Sequence, residues 1–529
     1  MTDTTYAPPT QQPALPPSRG PLGLAISGWR QLTSMRTALI LLFLLALAAV
    51  PGSLLPQRGL NAGKVIEFYR DHPRLAPILD RVSAFDVFGA PWFAAIYLAL
   101  FLSLAGCVLP RMWRQTSALR ARPPAAPRHL SRLPVAMSWH TDEEPAEVLA
   151  AARGRLRGWR VDVRSEPGGG ASLAAERGYF REVGNLLFHF SLLVLLAGVA
   201  LGGLFGYKGN VLVKQGDAFS NTLAYYDSIS PGRLFSAGRL APFTVILERF
   251  RATYQPSGEP ATFAADVRFA GHPGAALRSY HLRVNHPLNI DATKLYLIGH
   301  GYAMHFVVRG PDGRVAYDGA QPFLPRDASF ASDGVVKVPD IAPGPGGTPR
   351  QLGFSGFFTP TTVMGPNGLE SGFPAARNPA VTLLAWRGDL GLDNGRPQSV
   401  YALQTEGLRR VLDARGRPAT ATLRPGQTLA LPGGVGSITF AGFSEFATFQ
   451  VTHDPGSRLA LAAAVLLLIG LVVSLRVRRR RLWLRARPDG RRTVVEAAGL
   501  SRNDSGSFDE DFRAIITRLR SRPAAPEED

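Results

Sequence analysis

Four stretches of the chain are apolar for long enough to cross a membrane: residues 37–55, 92–109, 183–205 and 457–475, the last free of charge from Leu459 to Leu475. About 20 apolar residues span a bilayer as a helix, and no cleavage-site pattern marks the first run as a signal peptide. Between the runs the periodicity changes. In residues 56–91, Val65, Ile66, Tyr69, Leu75, Ile78, Leu79 and Val82 recur at helical spacing, predicting one or two short amphipathic helices on the outer surface. Residues 110–182 hold a Pro/Arg linker, then "PVAMSWH", "EEPAEVLAAARGRL", "WRVDVRS" and "ASLAAERG", which read as strand, helix and two strands, a small α+β module. The stretch 206–456 alternates in "FTVILERFRATY", "LRSYHLRVNH", "MHFVVRG", "AVTLLAWRG" and "GSITFAGF", predicting a mainly antiparallel β-domain, a sandwich or two packed sheets. Residues 476–529 read as a basic tail with one helix at "DEDFRAIITRLRS", and residues 1–36 as a disordered leader containing "APPTQQPALPPSRGP".

This pattern predicts a polytopic α-helical membrane protein of four spans carrying a large β-domain and the small α+β module. Charge orients it. The 529 residues carry a net charge of +19, yet residues 206–456 hold 23 Lys/Arg against 18 Asp/Glu, so most of the excess lies elsewhere. It gathers at Arg111, Arg114, Arg120, Arg122 and Arg128 after the second run and in "RVRRRR" after the fourth. Positive residues stay on the cytoplasmic side of a membrane, so both termini and residues 110–182 are expected inside and residues 206–456 outside the plasma membrane. The same placement accounts for the arginines without nucleic acid. The single cysteine, Cys107, lies in the second run, so the outer domain has no internal disulfide and CxxC chemistry is excluded. Neither GxSxG, a P-loop nor HExxH occurs.

One ionisable residue interrupts the third run, His189 in "EVGNLLFHFSLLVLLAGV". Ionisable groups in hydrocarbon are costly and face a protein interior, a cavity or a ligand. Two readings stay open: a ligand to a bound group, with Asn185 one turn earlier to accept the Nδ1 proton, or a helix–helix contact. His453, in "VTHDPGSRLALAAAV", stands just before the fourth run, with Asp454 an expected N-cap and Pro455 an expected first helical residue. Its readings are a ligand or docking role, or a rigid start to the helix. Arg30 and Arg36 read as anchors of the inner face, and Arg177 and Arg181 lie at the boundary below His189.

In order along the chain, "SMRTALILLFLLALAAVPGSLLPQRG", "FDVFGAPWFAAIYLALFLSLAGCVLPR", "ERGYFREVGNLLFHFSLL" and "HDPG" resemble the ResB-like (CcsB-type) cytochrome c biogenesis proteins of System II. The outer region resembles them mainly at "VNHPLNIDATKLYLIGHGYA". The resemblance implies a membrane subunit of a haem delivery and cytochrome c synthase complex. It works with a CcsA/ResC-like haem-handling partner, apocytochrome c and a membrane-bound thioredoxin-like reductant. In that family a third-span histidine ligates haem, and His189 is the matching position; His453 is the second candidate haem contact. No Trp-rich haem-handling segment occurs here, so the chain resembles one part of a synthase, with catalysis shared or left to the partner. Low-spin haem takes two axial ligands. The other three runs contain no histidine, so the second ligand is expected from the partner. The rival readings are a membrane scaffold that never touches haem, and a transporter or sensor with the outer domain as receptor.

Overall fold

The computed structural model describes residues 21–59, 62–343, 349–366, 368–392, 395, 400–501 and 505–520. The chain divides into two compact units, residues 1–199 with 456–529 and residues 200–455.

The described helices are α1 (Pro21–Leu32), α2 (Met35–Leu54), α3 (Ala62–Asp71), α4 (Ala76–Arg81), α5 (Pro91–Arg120), α6 (Pro145–Arg155), α7 (Phe180–Phe205), α8 (Ser457–Arg476) and α9 (Ser505–Arg520). Four are long and apolar enough to cross a membrane: α2, α5, α7 and α8. The expected leader therefore ends earlier than residue 36. Pro21 opens α1, no proline follows before Pro51, and Ser34 then caps α2 by accepting from the Thr37 amide at 3.2 Å. Residues 1–20 of that leader lie outside the described residues. Helix α5 runs on past Pro110 to Arg120, beyond the apolar run, because Arg111, Met112, Trp113 and Arg114 are competent helix formers, and the Pro/Arg stretch expected as a linker at 121–134 follows it. Around α3 and α4, Val65, Ala76 and Phe85 form a small core.

The apolar helices pack through small residues and backbone. The Ser103 hydroxyl of α5 donates to the Leu32 carbonyl at 2.5 Å, and Leu104 and Val108 of α5 meet Leu193 of α7. The Tyr97 hydroxyl donates to the Leu196 carbonyl. Gly184 of α7 faces Gly470 of α8 so closely that a Cβ on Gly470 would stand 2.6 Å from the Phe188 nitrogen. Gly198 faces Ala460 in the same way.

The α+β module differs from expectation. Its five-stranded sheet has the order Val135–Thr141, Arg492–Ser501, Arg480–Asp489, Ala171–Arg177, Arg160–Ser165. Two of these strands come from what read as a tail. They form a hairpin whose two-residue loop is Gly490-Arg491, and in its first strand Leu482, Leu484 and Ala486 face one core while Trp483 and Arg485 are buried on the opposite face. Leu482, Leu484, Val495 and Ala497 enter one core with Leu149, Phe512 and Ile516. The chain before α7 and the chain after α8 thus share one sheet, which requires both on the same side of any membrane that these helices cross.

In the second unit, antiparallel ladders build a twelve-stranded sheet and a four-stranded one. Two strands, Thr293–Arg309 and Gly436–His453, pair from Thr293 opposite His453 to Arg309 opposite Ser437. They serve two cores in succession. Leu295, Leu297, Phe449 and Val451 pack with Val211, Phe219 and Phe250, while Met304, Phe306, Val308 and Phe440 pack with Phe323, Phe354 and Phe358. Alternation is plain in Tyr207–Lys214, where Tyr207, Gly209, Val211 and Val213 are buried.

Candidate functional site

His189 lies nine residues into α7, about 14 Å along its axis. Its Nδ1 is 2.8 Å from the backbone carbonyl oxygen of Asn185. A carbonyl only accepts, so Nδ1 carries a proton, and in the neutral tautomer this leaves Nε2 with its lone pair. The sequence suggested the Asn185 side chain for this task; the helix supplies it from its own backbone, four residues back. The ring is half-buried, edge-on to Phe188 at 5.1 Å, and one turn before Leu193, which packs on α5. Ser191, two residues on and so on the opposite side of the helix, is buried with an unpartnered hydroxyl. A tautomer fixed at Nδ1 with Nε2 open is the usual preparation of an imidazole for a metal.

His453 ends the strand Gly436–His453, flanked by Tyr207 and Thr293 on the adjacent strands. Helix α8 starts at Ser457 with Gly456 in the cap position, so the helix begins two residues later than Asp454 and Pro455 were expected to start it. The His453 ring lies over Tyr207, with centroids 5.8 Å apart and planes 21° from parallel. Neither ring nitrogen is hydrogen-bonded by a described residue. A hollow of about 270 Å³ opens here, walled by Leu201, Phe205, Tyr207, Phe235 and Pro455, with Arg239 and His453 as its charged or titratable members. Arg239 stands 5.9 Å over the Phe205 ring. The Tyr207 hydroxyl accepts from the Asn221 amide at 3.1 Å, which fixes the wall beneath His453. Arg239 and Phe235 escaped the sequence reading, because the segment that brings them is irregular and far from His453 in the chain.

His189 and His453 belong to different units. Among the described residues no three His, Cys, Asp or Glu side chains gather as a metal site. Two histidines of the β unit have partners among its own side chains. His305 bonds Asp318 at 2.7 Å, and His300 is packed among Phe250, Phe263 and Phe330.

The family model described as the ResB-like family matches residues 35–513. Curated relatives include the cytochrome c biogenesis protein CcsB of Synechococcus sp. (strain WH7803), 30% identical over 276 residues covering 50% of this chain and 58% of the relative. The CcsB of Prochlorococcus marinus (strain MIT 9303) is 29% identical over 276 residues, with the same coverage. That of Gloeobacter violaceus is 27% identical over 287 residues, 51% of this chain and 55% of the relative. The chain thus spans less than two thirds of the length of the curated relatives it matches.

Proposed function

The chain belongs to the ResB-like family, and from that premise we propose that it is a membrane subunit of a cytochrome c maturation complex that passes haem to a CcsA/ResC-like partner. Both termini and the five-stranded sheet face the cytoplasm in this reading, and residues 206–456 face outward, as the arginine distribution favours. The observation that carries the proposal is the His189 hydrogen bond to the Asn185 carbonyl. It leaves Nε2 as the one free donor atom of a half-buried imidazole in an apolar helix, and iron-bound porphyrin is a substrate that such a site suits.

The second axial ligand comes from the partner. The hollow at His453 serves the outward step, with Arg239 available to a haem carboxylate and His453 to the iron or to the docked partner. Its volume admits an edge of the macrocycle and not the whole of it. Apocytochrome c, with its thiols kept reduced by a membrane-bound thioredoxin-like protein, receives the haem at the partner. This chain positions haem and supplies no acid or base for thioether formation.

The test is the absorption spectrum of the chain co-purified with its CcsA-like partner, as wild type and as His189→Gly. Loss of haem or of its low-spin bands in the variant, restored by added imidazole, is the expected result. Identical spectra would assign the chain to a scaffold that never contacts haem.

A further inference from the structure

Where α7 begins and α8 ends, a second hollow of about 410 Å³ is lined by arginines: Arg177, Arg476, Arg478 and Arg480, with Tyr179 and Phe180 beside them. Among the described residues that line it there is no carboxylate. Neighbouring arginines are engaged elsewhere. Arg479 and Arg481 pair with the buried Glu176, and Arg479 also reaches Glu182 at 3.2 Å. Arg177 and Arg476, by contrast, are exposed and make no ion pair with a described residue. Arg480 gives one nitrogen to Asp511 at 2.6 Å, but its Nε is buried without a hydrogen-bond partner. The backbone holds the group together. Gly178 has φ of 84° and passes directly against the Arg478 carbonyl, where any Cβ would collide, so the strand end at Arg177 is pinned beside Arg478.

An arginine cluster of this kind recognises phosphate. The surroundings specify which phosphate. The hollow adjoins the ends of two apolar helices, where Val183 is 36%, Val472 62% and Leu475 76% exposed. Tyr179 and Phe180 stack at 4.5 Å with Phe180 largely exposed, the aromatic pair expected at a membrane boundary. A ligand with a phosphate at the arginines and apolar chains along α7 and α8 satisfies both halves.

We propose that the arginine-lined hollow at the junction of α7 and α8 binds the headgroup of an anionic phospholipid. The site clamps the two helices to the sheet that carries Arg177 and Arg480. Basic pockets between membrane helices on the cytoplasmic side bind such headgroups elsewhere. The proposal is independent of haem.

The experiment titrates phosphatidylglycerol into the full-length chain in phosphatidylcholine–detergent micelles, reading bound lipid by native mass spectrometry and thermal stability in parallel. Wild type is expected to bind phosphatidylglycerol in preference to phosphatidylcholine and to gain stability, with no gain from inorganic phosphate. The triple variant Arg177→Gln, Arg476→Gln, Arg478→Gln is expected to lose about a hundredfold in apparent affinity, each basic group near an anionic surface contributing about fivefold. Arg415→Gln, in the β unit, is the control. The triple lysine variant retains preference for the anionic lipid, which keeps the test decisive should the glutamine variant not fold. Equal binding of both lipids by wild type, equal affinity of wild type and glutamine variant, or the same stabilisation by inorganic phosphate would each overturn the proposal. Loss of haem from the glutamine variant with its lipid preference intact would also overturn it, and would assign the arginines to haem.

Discussion

In the β unit the large apolar side chains point inward: Phe306, Phe323, Phe354, Phe358 and Phe440 are fully buried. In α2, α7 and α8 the order is reversed. Leu54, Leu461 and Leu475 are exposed at 78%, 68% and 76%, and the buried residues are mostly small: Ala38, Gly184, Ser191, Gly198, Ala463 and Gly470. Water drives phenylalanines together, whereas lipid is as apolar as leucine and gives helices no such drive, so they associate through close backbone approach. The two units are therefore stabilised by different terms, and substitutions separate them.

The largest effect is expected where two backbones meet. Gly470→Leu puts a branched side chain where even Cβ would be 2.6 Å from the Phe188 nitrogen and 2.9 Å from the Gly184 carbonyl. Backbone cannot step aside as a side chain does, so the cost exceeds the roughly 1–3 kcal/mol of ordinary overpacking. Helices α7 and α8 are expected to separate, with His189 losing its setting. Protease protection of residues 456–476 measures this, and a variant as protected as wild type would refute the contact. The β unit keeps its own melting transition.

The opposite substitution belongs in the β unit. The Phe323 ring lies against Gly334 and Gly356 of the next two strands, at 2.7 Å from a Cβ built on the latter. Phe323→Ala empties a fully buried site and is expected to cost about 4 kcal/mol, measured as a shift of the β-unit transition alone. A shift of both transitions would show that the units are not separately stabilised.

Third in size is the ion cluster of the five-stranded sheet. Burial by itself would raise the Glu176 carboxyl, but hydrogen bonds from Arg479 and Arg481 prevail and hold it below the usual carboxylate range. Glu176→Gln leaves those arginines without their buried partner and is expected to cost about 3 kcal/mol. Because the folded pKa is depressed, the stabilisation is present above the ordinary glutamate value and is lost as pH falls through the folded one. Acid titration of wild type against the variant checks this; parallel curves would remove Glu176 from the account.

How much of this was legible in the sequence depends on what each signal competes with. The four apolar helices stand out because nothing but hydrocarbon tolerates such runs. The strands of the β unit announce themselves by alternation. The hairpin Arg480–Ser501 was hidden, since seven arginines from 476 to 487 report topology so strongly that the alternation of Leu482, Leu484 and Ala486 beneath them reads as a solvated tail. His189 is legible as an anomaly, but its proton's partner is not, because a backbone carbonyl leaves no trace in the residue types. The hollow at His453 draws Arg239 from a segment without regular structure, and no periodicity encodes that meeting.

The smallest effect lies within the β unit and tests its interior as a low-dielectric medium. His300 is 9% exposed, stacked at 4.4 Å on Phe330 and 4.8 Å on Phe250, with Nδ1 unpartnered and Nε2 3.2 Å from the Tyr254 hydroxyl. Burial pushes its pKa down to about 4. Burial pushes Glu445 up to about 7. The signs oppose each other. Between about pH 4 and 6.5 the unfolded chain binds a proton at His300 that the folded one does not, so that site makes stability rise with pH. Between about pH 4.5 and 7 the folded chain holds a proton at Glu445 that the unfolded one releases, so that site makes stability fall. Over their common range the two slopes offset each other, and wild type is expected to be nearly flat near pH 5–6 as far as this pair is concerned. Glu445→Gln unmasks the rising slope and His300→Phe the falling one. Denaturant unfolding of the β-unit transition from pH 4 to 7.5 reads both, and slopes of the same sign in the two variants would show that burial does not govern the group whose predicted sign fails.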